Sequence, residues 1–170
     1  VIGSHKDAQK GSFLREIGVT HILNSAKDIP VYLSADFICH HLLLDDDDKT
    51  VFDEDVNDAM AFLRRVEAVN GRCLVHCKAG VSRATSIVII FLMQAHGIDL
   101  RDAYDYIRFV RSYAAPNDGF KFQLARLELQ LFSSTSVAKH PDWSFFAWNS
   151  IKHQFPSSED RSNRLCCTIN

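Results

Sequence analysis

The sequence predicts an α/β layer fold: a central, mainly parallel, twisted sheet of about four to five strands flanked by helices. Two observations predict it. Short apolar runs alternate with longer stretches of helical periodicity, the pattern of strand–helix–strand units. In addition, Arg72 to Ala95 reads as a strand, a glycine-containing loop and a buried helix in direct succession. A chain of 170 residues, 46% hydrophobic and 24% charged, is long enough to bury one proper core.

Taken in order, Val1 to Ala8 reads as the tail of a first strand entering a turn at Gly3-Ser4. Phe13, Leu14 and Ile17 recur at helical spacing, and Gly18 ends that helix. Val19 to Asn24 reads as a strand, and residues 25–36 as irregular, with Pro30 blocking a regular helix. Phe37 to Leu44 forms a strand that runs into four consecutive carboxylates, Asp45 to Asp48. Phe52 to Val69 is an amphipathic helix with Val56, Met60, Phe62, Leu63 and Val66 on its core side. Asp53, Glu54 and Asp55 complement its dipole. After Asn70-Gly71, residues 72–76 form a short buried strand; residues 84–95 form an almost wholly apolar helix stopped at His96-Gly97. Leu100 to Tyr113 is a helix capped by Asp99. Pro116-Asn117 opens a last core helix, with Phe120, Leu124, Leu127 and Leu131 on one face. The expected domain is therefore 1–132. Ser133 to Ser136 reads as a hinge into a partly flexible extension, 133–170, whose Trp143, Phe145, Phe146, Trp148 and Phe155 suit docking on the domain or on a partner.

The loop between the central strand and the buried helix carries the chemistry. It runs Cys77-Lys78-Ala79-Gly80-Val81-Ser82-Arg83. A strand that breaks at a helix N-terminus collects unpaired backbone N–H groups and the positive end of the dipole, which makes an anion site. A cysteine facing that field is placed to react as thiolate. Arg83 adds a planar fork able to grip two oxygens of a tetrahedral oxyanion. A nucleophilic sulfur in such a phosphate-binding loop suggests phosphate-ester hydrolysis through a phosphocysteine.

His76-Cys77-x5-Arg83, set in Val75-His76-Cys77-Lys78-Ala79-Gly80-Val81-Ser82-Arg83, resembles the signature of the dual-specificity branch of the cysteine-based protein tyrosine phosphatases. The likeness extends upstream to Gly18-Val19-Thr20-His21-Ile22-Leu23-Asn24 and downstream to Ala103-Tyr104 and Pro116-Asn117-x-Gly119-Phe120. The resemblance implies Cys77 as nucleophile, Lys78 to Arg83 as the phosphate cradle, and a general-acid aspartate after the Phe37–Leu44 strand. Asp46 fits that aspartate through the spacing of Phe37, Leu42 and Leu44, with Asp45 one register off. It further implies that His76 organises the loop by hydrogen bonding and helps keep the thiol ionised. Asn117 resembles a residue that braces the loop, although helix capping explains it as well. Ala84 departs from the pattern: the family usually has a hydroxyl there, which stabilises the departing cysteine when the phosphoenzyme breaks down. Thr85, one residue later, is turned away by about 100°. The resemblance implies phosphoprotein substrates, among them protein-kinase activation loops, entered through a shallow pocket. It also leaves two rivals: a phosphoprotein-binding scaffold with slow turnover, and a phosphatase for lipid or RNA phosphates.

Composition narrows the classes. A formal charge of −2 argues against a general nucleic-acid binder, and no apolar run reaches membrane-spanning length. Five cysteines without framework spacing fit a reducing compartment, hence a cytoplasmic and also nuclear location. No cofactor or metal is expected: His40 and His41 point to opposite faces of a strand, so Cys39-His40-His41 with Cys73 and Cys77 makes a poor zinc site. Cys73 lies too far along its strand to pair with Cys77, which leaves Cys39 as the candidate resolving thiol. Cys167 near the C-terminus superficially resembles a prenylation box, but Thr168 and Asn170 fit it poorly.

Overall fold

The computed structural model describes residues 1–52 and 54–143. Asp53, the aromatics from Phe145 to Phe155, the polar stretch 157–164 and Cys167 lie outside the described residues. Four strands, β1 (Ile2–Ser4), β2 (His21–Asn24), β3 (Ile38–His41) and β4 (Cys73–Cys77), form one sheet of order β1-β4-β2-β3. Every pairing in it is parallel. The connections carry α1 (Gly11–Glu16), α2 (Glu54–Ala68), α3 (Arg83–His96), α4 (Leu100–Val110) and α5 (Asp118–Phe132). The expected architecture, a parallel sheet flanked by helices, is what forms.

The period of two in the strands divides the core. Leu23 and Val75 enter a large cluster with α2, α3, α4 and α5, while Ile22 and Leu74 face a smaller one with Ala8, Leu14, Val19 and Phe37. Cys77 shares the large-cluster face with Val75, two residues before it. Through α3, the residues Ala84, Ile87, Ile89, Ile90 and Met93 are buried, as a helix walled in on most sides requires. Gly97 stops it with a left-handed φ of 66°, sending its N–H back to the carbonyls of Leu92 and Met93.

Some elements are shorter than the sequence suggests. Phe37, Leu42 and Leu44 are buried as expected, yet only residues 38–41 pair in the sheet, with one further bond from Leu42 N–H to Asn24 O at 2.8 Å. The backbone of α4 ends at Val110 rather than Tyr113, with residues 111–113 turning toward the loop after β4. On α5 the inward face is Phe120, Leu124, Ala125 and Glu128, and Leu131 is exposed. Phe13 is exposed as well.

The serine-rich stretch after α5 does not lead away from the domain. Val137 and Trp143 are buried, with Trp143 edge-on to Tyr104 of α4. Glu128 causes this. Its buried carboxylate accepts from the N–H of Leu100 at the start of α4 (2.9 Å) and from the N–H and hydroxyl of Ser136 (N–H at 3.0 Å). His140 to Asp105 and Tyr104 to Asp142 continue the seam along α4. Glu128→Ala leaves buried donors without partners and is expected to lower stability by about 2–4 kcal/mol. Urea denaturation measures that loss; Glu128→Gln, which keeps an acceptor oxygen, is expected to lose less.

Candidate active site

In a parallel sheet the C-terminal strand ends gather loops on one side, and β4 delivers Cys77 to that edge. The six residues from Cys77 to the start of α3 must then reverse direction in little space. Gly80 makes this possible with a φ of 69°, and an added Cβ there would lie 2.4 Å from the carbonyl oxygen of Gly3 on β1.

What turns this loop into a cradle is the direction of its carbonyls. Lys78 O accepts from the His5 N–H at 3.2 Å and lies 2.7 Å from His5 Nδ1. Ala79 O and Gly80 O accept from Nη2 (3.1 Å) and Nε (2.7 Å) of Arg111, just beyond α4. Val81 O accepts from Ala115 N at 2.9 Å, and Ser82 O from Ser86 N at 2.9 Å. With every carbonyl from 78 to 82 engaged outside, the amides are left on the inner side. Gly80 N–H donates to Cys77 Sγ at 3.2 Å, while the N–H groups of Lys78, Ala79, Val81, Ser82 and Arg83 meet no acceptor among the described residues. Ser82 precedes α3 without a side-chain cap, so the helix N-terminus is open to an anion.

Arg83 is 3% exposed, and its guanidinium is committed on one side only. Nη1 donates to Asp28 Oδ1 at 2.6 Å and to Leu44 O at 3.1 Å. Nε is buried with no hydrogen-bond partner, 3.5 Å from Asp46 Oδ2 but poorly aligned with it. Burying such a donor unpaired is costly unless a ligand's oxygen completes it.

The two candidate aspartates part company here. Asp46 turns inward, its Oδ1 accepting from Asn117 Nδ2 at 3.0 Å; Asp45 turns outward to Lys27 Nζ at 2.9 Å. The loop carrying Asp46 is fastened to the start of α5. Asn117 caps that helix through Phe120 N–H (2.9 Å), and its own N–H donates to Ser82 Oγ (3.1 Å), so capping and bracing are both its work. Gly119 allows Asp48 to pass so close that an added Cβ would lie 2.3 Å from the Asp48 carbonyl oxygen. Gln123 accepts from Phe52 N–H and donates to Thr50 O. Asp47 closes the turn by accepting from Lys49 N–H, Thr50 N–H and the Thr50 hydroxyl, which hold its carboxyl below the usual range.

His76 is fully buried, its Nδ1 3.4 Å from Cys77 O and its Nε2 without a partner. Burial pushes its pKa down to about 4, which favours the neutral ring. Cys39 is not a resolving thiol. It lies level with Leu74 and two strands away from β4, about 10 Å across and about 10 Å short of Cys77. Burial pushes the Cys73 thiol up to about 12, which makes it inert. Ala84 is fully buried, and the buried Thr85 hydroxyl has no partner, so it does not bond Cys77 Sγ in Ala84's stead. Lys78 is exposed at the rim, 3.6 Å from Asp28.

Sequence reasoning missed Asp28 and Arg111. Neither lies in a periodic or motif position, and both reach the loop only through tertiary contacts. The cleft that results, about 400 Å³, is lined by Cys77, Arg83, Asp46, Asp45, Asp28 and the loop backbone. Among the described residues no group of three or more His, Cys, Asp or Glu is arranged to hold a metal, and no helix is long and apolar enough to cross a membrane.

Comparison with known proteins places this geometry in context. A family model described as the dual specificity phosphatase catalytic domain matches residues 1–130. Human protein phosphatase Slingshot homolog 1 is 35% identical over 127 residues, 75% of this chain and 12% of that protein. The Arabidopsis thaliana protein-tyrosine-phosphatase MKP1 is 37% identical over 128 residues, again 75% of this chain and 16% of the relative. The chain thus spans a small part of the curated relatives it matches. Among solved structures, human DUSP28 superposes with a TM-score of 0.73 at 26% identity, covering 78% of this chain and 92% of that one.

The His76 environment predicts a pH dependence of stability. An unfolded histidine takes up its proton near 6.5, whereas this one resists until about 4. Across that window protons bind the unfolded chain preferentially, so stability falls as pH drops from about 6.5 to about 4 and levels off below. The component is expected to reach about 3 kcal/mol. Chemical denaturation at a series of pH values measures it, and His76→Asn is expected to flatten the slope in that window.

Proposed function

The chain belongs to the dual-specificity phosphatase family, and from that premise we propose that it hydrolyses phosphotyrosine and phosphoserine or phosphothreonine in proteins through a phosphocysteine. The observation that carries this reading is the ring of open amides around Cys77 Sγ, closed by a buried arginine nitrogen that lacks a partner. Such a ring matches the equatorial oxygens of a phosphoryl group in transfer.

In the first step Cys77 Sγ attacks phosphorus in line, forming the S–P bond as the ester P–O bond breaks. Asp46, held by Asn117 on the Arg83 side of the cleft, gives its proton to the departing side-chain oxygen. In the second step water attacks phosphorus and gives a proton to Asp46. The S–P bond breaks, phosphate leaves, and the sulfur regains its electron pair. Charge on the transferring oxygens rests on the loop amides and Arg83, so the scheme assigns no step to a metal. A free nucleophilic thiol suits a reducing compartment, cytoplasmic or nuclear. Protein kinases, through their phosphorylated activation loops, are the partner class we propose. The acidic rim of Asp28, Asp45 and Asp46 disfavours polyanionic lipid or RNA substrates.

Three variants test the assignment. Cys77→Ser is expected to abolish hydrolysis of para-nitrophenyl phosphate while leaving the circular dichroism spectrum unchanged, and retained activity would remove the nucleophile. Asp46→Ala is expected to lose about 10²–10⁴-fold on phosphotyrosine peptide and much less on an activated aryl ester that needs no proton; Asp45→Ala should be nearly silent on both. A leaving-group-dependent loss in Asp45→Ala instead would exchange the roles.

The missing hydroxyl at Ala84 slows the second step specifically. Pre-steady-state mixing is expected to show a burst of product followed by slow turnover. Ala84→Ser is expected to raise kcat by about 10–100-fold, or about 1.4–2.7 kcal/mol of barrier, without altering the rate of the burst. A wild type without a burst and a variant without a gain would show that the first step limits.

A further inference from the structure

We propose that Asp28 is the positioning residue for Arg83: its carboxylate holds the guanidinium so that one edge alone faces the bound phosphoryl group. The inference rests on the reading above and concerns how the same site is aimed.

A guanidinium can grip an oxyanion end-on, through Nη1 and Nη2, or side-on, through Nε and Nη2. Nη1 is taken by Asp28 Oδ1 at 2.6 Å and by Leu44 O at 3.1 Å. The end-on mode is therefore closed, and the side-on edge, with its unpartnered Nε, is the one presented. The pairing is reciprocal, since the Arg83 hydrogen bond holds the Asp28 carboxyl below the usual carboxylate range.

Asp28 is not a loose surface group that happens to reach inward. Its turn is fixed by Asn24, a buried side chain at the end of β2. Asn24 Oδ1 accepts from Ala26 N–H at 3.1 Å, and Asn24 Nδ2 donates to Ile29 O at 2.7 Å. Lys27 N–H donates to Leu44 O at 3.1 Å, the same carbonyl that receives Arg83 Nη1. Turn, guanidinium and the root of the Asp46 loop thus share one bracket. The carboxylate also places negative charge beside the phosphate position, only partly offset by Lys78 at 3.6 Å. It orients Arg83 and at the same time weakens its grip on a free anion, which eases release of product phosphate.

Orientation and charge separate in two variants, assayed on the whole chain with para-nitrophenyl phosphate and with inorganic phosphate as competitive inhibitor. Asp28→Ala removes both; it is expected to lower the melting temperature, since Arg83 loses a partner, and, assayed well below that temperature, kcat per folded molecule is expected to fall roughly 10–100-fold, as for a misplaced catalytic group. Asp28→Asn keeps an acceptor for Nη1 and is expected to retain kcat within about threefold, while phosphate inhibits it several-fold more tightly. The same tightening is expected as a larger phosphate-induced melting shift when Asp28→Asn is placed in Cys77→Ser, which reads the binding site without turnover. Unchanged kcat in Asp28→Ala overturns the proposal. So does an Asp28→Asn variant as impaired as Asp28→Ala, or a loss of activity that merely follows a loss of folded protein. Failure of the proposed reaction would look different: wild type and Cys77→Ser would have equal, negligible activity, and the phosphate-binding arm would still decide the role of Asp28.

Discussion

A guanidinium that is almost wholly removed from water governs this structure. Arg83 opens α3 at the end of a cysteine-bearing loop, with 3% of its surface exposed. A charge in that position is tolerable only if partners surround it. The fold supplies them from three directions: Asp28 from the turn after β2, the Leu44 carbonyl from the segment after β3, and Asp46 two residues beyond Leu44. Because β2 and β3 are neighbours in the sheet and β2 adjoins β4, these segments necessarily emerge beside the loop. Strand order thereby becomes active-site geometry.

The second constraint is the loop backbone. Five successive carbonyls could not face an incoming phosphate, and here four are drawn outward by donors from elsewhere and Ser82 O by the first turn of α3. Arg111 takes two of the five, spanning Ile2, Ala79 and Gly80 with one side chain while stacking on Tyr113 at 4.4 Å. Its part is negative in effect: it removes acceptors so that donors remain. Cys77 then sits at the convergence of groups that can only donate, and an oxyanion is the ligand such a concavity suits.

Much of this was legible in the sequence, for a physical reason. The strand, loop and helix from Arg72 to Ala95 are contiguous, so the placement of Cys77 relative to Arg83 is a local fact. The expectation for Asp46 rested on the spacing of Phe37, Leu42 and Leu44, all three of which are buried in the fold. Asp28 and Arg111 were illegible because a lone charged residue in a turn or at a helix end carries no periodic signal; only tertiary structure reveals what it faces. The stretch after α5 was legible in part: Trp143 suited docking and is buried against Tyr104, while the serines read as a hinge because nothing in the sequence shows that Glu128 is buried and accepts from Ser136. The role of His76 came from the family resemblance, and its burial, which favours a neutral ring, was not legible in the sequence.

The donors and acceptors that shape the loop come from His5, Asp28, Asp46, Arg111 and Asn117, nearly the full length of the domain apart. The stretch from Arg72 to Ala95 holds the loop, but its acid and its arginine's partner come from other segments of the chain. Catalytic geometry is in this sense a collective property: the loop is local, whereas the acid, the arginine's counter-charge and the donors that turn the carbonyls outward arrive from segments on both sides of it.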